Sequence, residues 1–304
     1  MRVFHDRRPH RFAPLSLGTC EGNRLRSSYH GFAFDADGRR IEVPSLGPDA
    51  TLSPRAVLSG PYGVAESHGM VFVAPEEPLT QLPSLDVDLD PAFVRGDLEA
   101  IVTRASAGLL ADNFLDVAHF AFVHTDTFGA GEATFVGPYT LRREGYGFTA
   151  IYEHEFANRE DPGVAAGLRP LVQRRRLTYR YRAPYHLELA LDFLDAGGSN
   201  VIGSFLVRVD GETVKIYSSI WRNDLDGSDE RLRAAIEFEV VVVREDLALQ
   251  SRYHDLTLPL DVTSEVHVRA HKTTLELRRI LRDLVDAASD HARPRPRPTP
   301  EVII

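Results

Sequence analysis

Cysteine is almost absent: Cys20 is the only one among 304 residues. An intramolecular disulfide is therefore excluded, as are a thiolate-rich zinc site and a four-cysteine cluster. No stretch approaches the roughly 20 apolar residues that cross a bilayer. The segment Met1 to His10 is charged and lacks an apolar run, so it does not read as a signal peptide. An excess of positive charge is missing too. The formal net charge is -9, which argues against nonspecific nucleic-acid binding, since that needs clustered Lys and Arg. Arg174, Arg175 and Arg176 form a short basic run, continued on alternate residues by Arg180 and Arg182. This reads as the solvated face of a strand. These absences leave a cytoplasmic enzyme or binding protein, with a small-molecule partner and neither nucleic acid nor membrane.

The apolar fraction of 43% supports a buried core, and the length suits one large domain or two smaller ones. Residues 1 to about 80 read as short strands broken by turns. Phe32 to Asp35 and Arg40 to Pro44 flank the Asp37-Gly38 turn as a hairpin, and Gly69 to Ala74 reads as a buried strand. The proline-rich stretch Pro75 to Pro91 is the linker candidate. A helix is predicted from Ser106 to His119 by the spacing of Leu109, Leu110, Phe114, Val117 and Ala118. Residues 132–222 then alternate as strands of an antiparallel sheet, with Trp221 read as core. Asp229 to Tyr253 is predicted as a long helix opening at Ser228, and His271 to Ala288 as a second amphipathic helix. Residues 291–304 read as an extended proline-rich tail.

The segment Asp112 to His124 carries the chemistry. It holds Asp116, His119 and His124 in the pattern D-x-x-H-x4-H. On one continuous helix Asp116 and His119 share a face, whereas His124 falls off it unless the helix loosens or ends near Phe122. Two imidazoles and one carboxylate form the facial arrangement suited to ferrous iron, and zinc can use the same donors. Burying two histidines on an apolar segment without a shared partner is costly. The pocket is expected between the long helix and the sheet, with Phe114, Phe120 and Phe122 near the ligands.

The string resembles that of Rieske-type non-heme iron oxygenases, the aromatic-ring-hydroxylating family. The resemblance implies that His119 and His124 ligate a catalytic iron, and that Asp116 links this site to the cluster of a neighbouring subunit. Asn113 matches a further recurrent position, so Asp116 and Asn113 are the candidate catalytic residues. The family's third ligand lies far downstream on a long helix. Arg244 to Gln250 resembles that region, with Asp246 as the implied ligand and Glu245 as the fallback. Leu258-Pro-Leu-Asp261 and Arg278-Arg-Ile-Leu-Arg282 are similar to the family's C-terminal end. The implied fold is α+β: a truncated Rieske-like β domain (1–80), then a catalytic domain (81–290) whose antiparallel sheet wraps a long C-terminal helix in helix-grip fashion. One Fe(II) per chain and a homotrimer are also implied.

The family's N-terminal domain binds a two-iron, two-sulfur cluster through C-x-H and C-x-x-H. Here Arg8 to Gly18 and Ser27 to Asp35 keep the frame, with His10 and His30 in place. Arg8 and Ser27 occupy the cysteine positions, so no iron–sulfur cluster is expected. Arg8 can instead form an ion pair or bind an anion, and His10 and His30 can be hydrogen-bonded remnants or join Cys20 or His5 in a separate metal site. Three functions stay open. One is a cluster-free iron oxidoreductase acting on a small apolar or aromatic molecule. Another is a non-redox lyase, aldolase or hydrolase using its metal as a Lewis acid. The last is a non-catalytic ligand-binding partner subunit.

Overall fold

The computed structural model describes residues 1–48, 51–52, 57–129, 131 and 134–291. Beyond His291 the expected proline-rich tail lies outside the described residues. The chain separates into two compact units, the first Met1–Pro78 and the second beginning at Leu79.

The first unit contains an antiparallel sheet of β1 (Thr19–Glu21), β2 (Arg24–Arg26), β3 (Ala33–Phe34) and β4 (Arg40–Glu42) in sequential order. The Asp35–Arg39 turn joins β3 to β4. The Asp35 carboxylate accepts from the backbone N–H of Asp37 (3.0 Å) and Arg39 (2.8 Å), and Gly38 takes a φ of 78°, a left-handed conformation that glycine adopts without strain. Leu15, Phe32, Phe34, Val43 and Leu58 close a small core. β5 (Gly63–Ser67) and β6 (Met70–Ala74) form a separate hairpin. The expectation of a buried strand fails here. A two-stranded hairpin covers neither face fully, and Val71 and Val73 are 41% and 45% exposed.

The second unit is built on an eight-stranded antiparallel sheet. Its strands are β7 (Val94–Asp97), β8 (Ile101–Arg104), β9 (Thr140–Glu144), β10 (Gly147–Ala157), β11 (Val172–Arg182), β12 (His186–Phe193), β13 (Ser199–Arg208) and β14 (Thr213–Arg222). From β9 to β14 each strand pairs with the next, and β7 and β8 both pair with β14. Side chains alternate across the sheet. In β11, Gln173, Arg175, Leu177, Tyr179 and Tyr181 point inward and are buried, while Arg174, Arg176 and Arg180 face out. Arg174 and Arg176 meet Asp195 (2.9 Å) and Glu153 (2.8 Å). The basic run is thus a solvated face except at Arg175, which the alternation turns into the interior.

Among the described residues five α-helices accompany the sheet: α1 (Ala107–Leu115), α2 (Phe120–Val123), α3 (Pro162–Ala165), α4 (Asp229–Gln250) and α5 (Lys272–His291). Helix α4 starts where Ser228 Oγ accepts from the Arg231 N–H at 3.2 Å, with Asp229 and Glu230 facing the positive end of the helix dipole. The β-branched run Val240–Val243 stays helical because packing outweighs propensity; Val240 joins Leu98, Ile220 and Ala235 in an apolar cluster. At Gly96 of β7 an added Cβ would lie 2.8 Å from Ile236 Cδ1 of α4, so helix and sheet approach as closely as a glycine allows. Helix α5 sends Leu277, Ile280 and Leu281 into the main core, each fully buried side chain contributing roughly 1.5–3 kcal/mol. Thr273 Oγ1 donates to the Leu115 carbonyl at 2.7 Å, and Arg278 bridges Asp112 of α1 and Glu265. These bonds hold the end of α1, and hence the segment that follows it. No described helix is long and apolar enough to cross a membrane.

Candidate metal centre

The predicted helix through His119 is broken. Ser106 caps α1 by accepting from Leu109 N–H at 3.2 Å, but α1 ends at Leu115 and Asp116 is extended (φ -85°, ψ 121°). The Asp116 carboxylate captures the Ala118 N–H at 2.8 Å, a local bond that competes with helix continuation. Asp116 and His119 are therefore not one turn apart on a shared helix. The chain restarts as the four-residue α2, with His119 at its N-cap and His124 at its C-cap. Bracketing a single turn brings both imidazoles to one side.

His119 Nε2 and His124 Nε2 lie 3.1 Å apart, and each is 3.4 Å from Asp246 Oδ1 on α4. His124 is 1% exposed. Its Nδ1 meets Glu245 Oε2 at 2.7 Å, and that oxygen also accepts from Thr127 Oγ1 at 2.8 Å. Because Glu245 takes the Nδ1–H, the Nε2 lone pair of His124 points at its neighbours. Asp246 Oδ1 is buried and accepts no hydrogen bond among the described residues, and His119 Nδ1 lacks a partner as well. Its distance to Asp116 Oδ2, 3.6 Å, is too long for a hydrogen bond.

Three electron-pair donors thus face one point, an arrangement that repels itself unless a cation or a proton sits among them. The ionisation of His119 shows the same demand. Burial opposes its charge, yet Asp116 and Asp246 override burial and lift its pKa to about 9. Edges of 3.1–3.4 Å allow an ion bonding at roughly 2.1 Å to reach all three corners. His119, His124 and Asp246 form the one group of this kind among the described residues, so the donor set fits a divalent metal. His5, His10, His30 and Cys20 form no second group.

A cavity of about 130 Å³ opens over the triad between α4 and the sheet. Its volume is close to that of the roughly 150 Å³ apolar holes that admit benzene. Phe120 and Phe128 line it against the histidines, Phe114 lines it from α1, and Leu187, Leu189 and Phe193 line it from β12. Phe122 takes no part, being 69% exposed. Asn113 lines the cavity; Asp116 does not, acting on the turn that carries His119. Trp221 is buried, with Nε1 donating to Asp88 Oδ1 at 3.0 Å. The lining also has a polar part, with Arg175, Asn200 and Glu239. Burial, followed by repulsion from Glu160, raises the Glu239 pKa to about 7, while Asn200 donates to it at 2.9 Å.

In the first unit, Arg8 is fully buried. Its guanidinium donates to Ser27 Oγ (3.1 Å) and the His10 carbonyl (3.1 Å), and meets His30 Nδ1 at 3.2 Å. It lies 4.9 Å from the Phe32 ring centroid. No carboxylate of the described residues pairs with it, so the anticipated ion pair is replaced by neutral acceptors. Cys20 is exposed. Around His10 and His30 there is no thiolate, and a guanidinium has no lone pair to offer iron; these residues do not fit a two-iron, two-sulfur cluster.

Residues 103–287 match the family model of the vanillate O-demethylase oxygenase C-terminal domain, and residues 1–59 match that of the Rieske [2Fe-2S] domain. Methylxanthine N1-demethylase NdmA of Pseudomonas putida is 27% identical over 287 residues, covering 94% of this chain and 77% of that protein. Methylxanthine N3-demethylase NdmB of the same organism is 28% identical over 296 residues, covering 92% and 76%. The structure of NdmA with caffeine aligns with a TM-score of 0.79 at 26% identity, over 94% of this chain and 79% of that one. With one family model spanning more than half of the chain and another the segment before it, this protein belongs to the Rieske non-heme iron oxygenase family.

Proposed function

We propose that this chain is a mononuclear iron oxidoreductase that oxidises a small aromatic molecule and holds no iron–sulfur cluster of its own. The observation that carries the reading is the inward-facing triangle of His119 Nε2, His124 Nε2 and Asp246 Oδ1 beneath an apolar cavity. Iron held by two imidazoles and a carboxylate supplies one-electron and dioxygen chemistry. The chain does the rest. Glu245 holds the tautomer of His124. Phe114, Phe120 and Phe128 exclude water from the reacting side, and Asp116 fixes the turn that aims His119. The relatives NdmA and NdmB are demethylases, which favours oxidation of an aromatic substrate.

The cluster-free part of the proposal rests on Arg8, whose guanidinium occupies the space between Ser27 and His30. Electrons then come from the substrate or from an external donor. The family membership also favours a homo-oligomer, which light scattering tests. A second reading, zinc acting as a Lewis acid in a lyase or hydrolase, uses the same three donors.

Metal content and the optical spectrum of anaerobically purified protein decide, together with His119→Ala and Asp246→Ala. One iron per chain, no iron–sulfur absorbance and loss of iron from both variants are expected. Zinc in its place selects the Lewis-acid reading, an iron–sulfur spectrum overturns the cluster-free one, and no metal at all selects a ligand-binding partner.

A further inference from the structure

Arg175 stands out among the interior residues of β11. It is 4% exposed, and burial lowers its pKa only to about 10, so it stays charged at neutral pH. A buried guanidinium normally meets a carboxylate. Here none of the described residues brings a carboxylate oxygen within 4.0 Å. The nearby acids are engaged elsewhere: Glu160 with Arg222 at 3.2 Å, Glu239 with Asn200 at 2.9 Å. Nε donates to His154 Nε2 at 2.7 Å, and that imidazole is kept neutral, its pKa lowered to about 2 by burial and by Arg175 itself. The rings of Phe128 and Phe156 lie 4.6 and 4.4 Å from the guanidinium carbon. These contacts hold the fork in place but use one of its five N–H groups. Among the described residues the terminal nitrogens meet no acceptor, and Arg175 lines the cavity over the triad.

Phe128 links this cation to the metal centre. Its ring stacks on His124 at 4.6 Å and sits 4.6 Å from the Arg175 guanidinium carbon, so no more than one aromatic side chain separates the two. The cavity therefore has an apolar body sized for one six-membered ring, electron-pair donors for a metal at one place, and a preformed, unpaired, planar cation at another. We propose that Arg175 is the anchor for an anionic substituent of the substrate, and that the substrate is a single-ring aromatic carboxylate. The carboxylate accepts the two parallel N–H groups of the fork, and its ring occupies the apolar body beside Phe128. The inference uses the reading above only to orient the ring, with its remaining substituents toward the triad. The names of the relatives point both ways, some enzymes being named for methylxanthines and others for vanillate or toluene-4-sulfonate, so the charge of the substrate rests on Arg175 alone.

The test is equilibrium binding of benzoate and of its neutral isostere benzamide to the metal-loaded full chain, by calorimetry or ligand-observed NMR, with iron content measured on the same samples. Benzoate is expected to bind at least tenfold more tightly than benzamide in the wild type, Arg175→Met to erase the difference, and Arg175→Lys to keep part of it. Equal affinity for both probes in the wild type overturns the proposal, as does failure of both to bind at millimolar concentration. An unchanged preference in a folded Arg175→Met does the same. Should that variant fail to fold, the wild-type pair and Arg175→Lys decide alone. Preference for benzoate in protein that retains no iron would leave the anchor standing and remove the oxygenase reading. One iron per chain with no preference would do the reverse.

Discussion

Removing the Glu245 carboxylate should loosen the metal without touching a metal donor. In the wild type Glu245 Oε2 accepts from the His124 ring at 2.7 Å and from Thr127 at 2.8 Å. Glu245→Ala leaves a buried imidazole N–H with no acceptor, a cost of about 1–3 kcal/mol. It also frees the ring to move its proton to Nε2, the atom that faces the site. Loss of such a carboxylate behind a ligating histidine typically weakens metal binding about 10–100-fold, or about 1.4–2.7 kcal/mol. The two estimates agree, so a drop of that size is expected. Competition for Fe(II) against a chromophoric chelator under anaerobic conditions measures it, with circular dichroism to show that the fold persists. Glu245→Gln retains an acceptor oxygen and should fall between the two. A dissociation constant for Glu245→Ala within twofold of the wild type would refute the reasoning.

Two further outcomes are expected. Glu239, raised from 4.5 to about 7, favours its protonated form in the folded state; its contribution is full below the unfolded pKa and fades as pH climbs through about 7, a change of about 3 kcal/mol. Glu239→Gln should therefore gain on the wild type by up to that amount between pH 4.5 and 8 in urea unfolding, and parallel stability profiles would sink the assignment. The double variant Arg8→Cys, Ser27→Cys recreates C-x-H and C-x-x-H around His10 and His30; after reconstitution with iron and sulfide it should show Rieske-type absorbance and a reduced-state EPR signal that the identically treated wild type lacks. A signal in the wild type would show that Arg8 does not exclude the cluster.

The two histidines were legible from their spacing, and the cap at Ser228 from the residues around it. Asp246 was legible only through resemblance. Periodicity cannot choose between adjacent acids on a helix, and the structure places both near the histidines, Asp246 Oδ1 3.4 Å from each Nε2 and Glu245 behind His124. The break after α1 was hidden because Val117 and Ala118 continue the apolar pattern; what ends the helix is one side-chain bond from Asp116. Arg175 was misplaced because three adjacent arginines obscure strand parity. The signal that could have found it is the alternation of Leu177, Tyr179 and Tyr181, which puts position 175 on the inner face. Thr127 and His154 carried no pattern at all, since their roles depend on contacts with residues distant in sequence.

Glu239 and Asp246 are seven residues apart on α4, about two turns, so they project from nearly the same side and stand about 10 Å apart along the axis. One rigid rod thus carries the proposed metal donor and a polar part of the cavity lining, and its contact at Gly96 leaves it little room to slide. Reshaping the cavity by shifting that rod would displace the metal donor along with it. The strands opposite are not bound in this way: Leu187, Leu189 and Phe193 border the cavity without holding the metal. Variation at those three positions can diversify what the cavity admits while the centre stays intact, which makes β12 the place where divergence among related chains, or selection in the laboratory, has the most freedom.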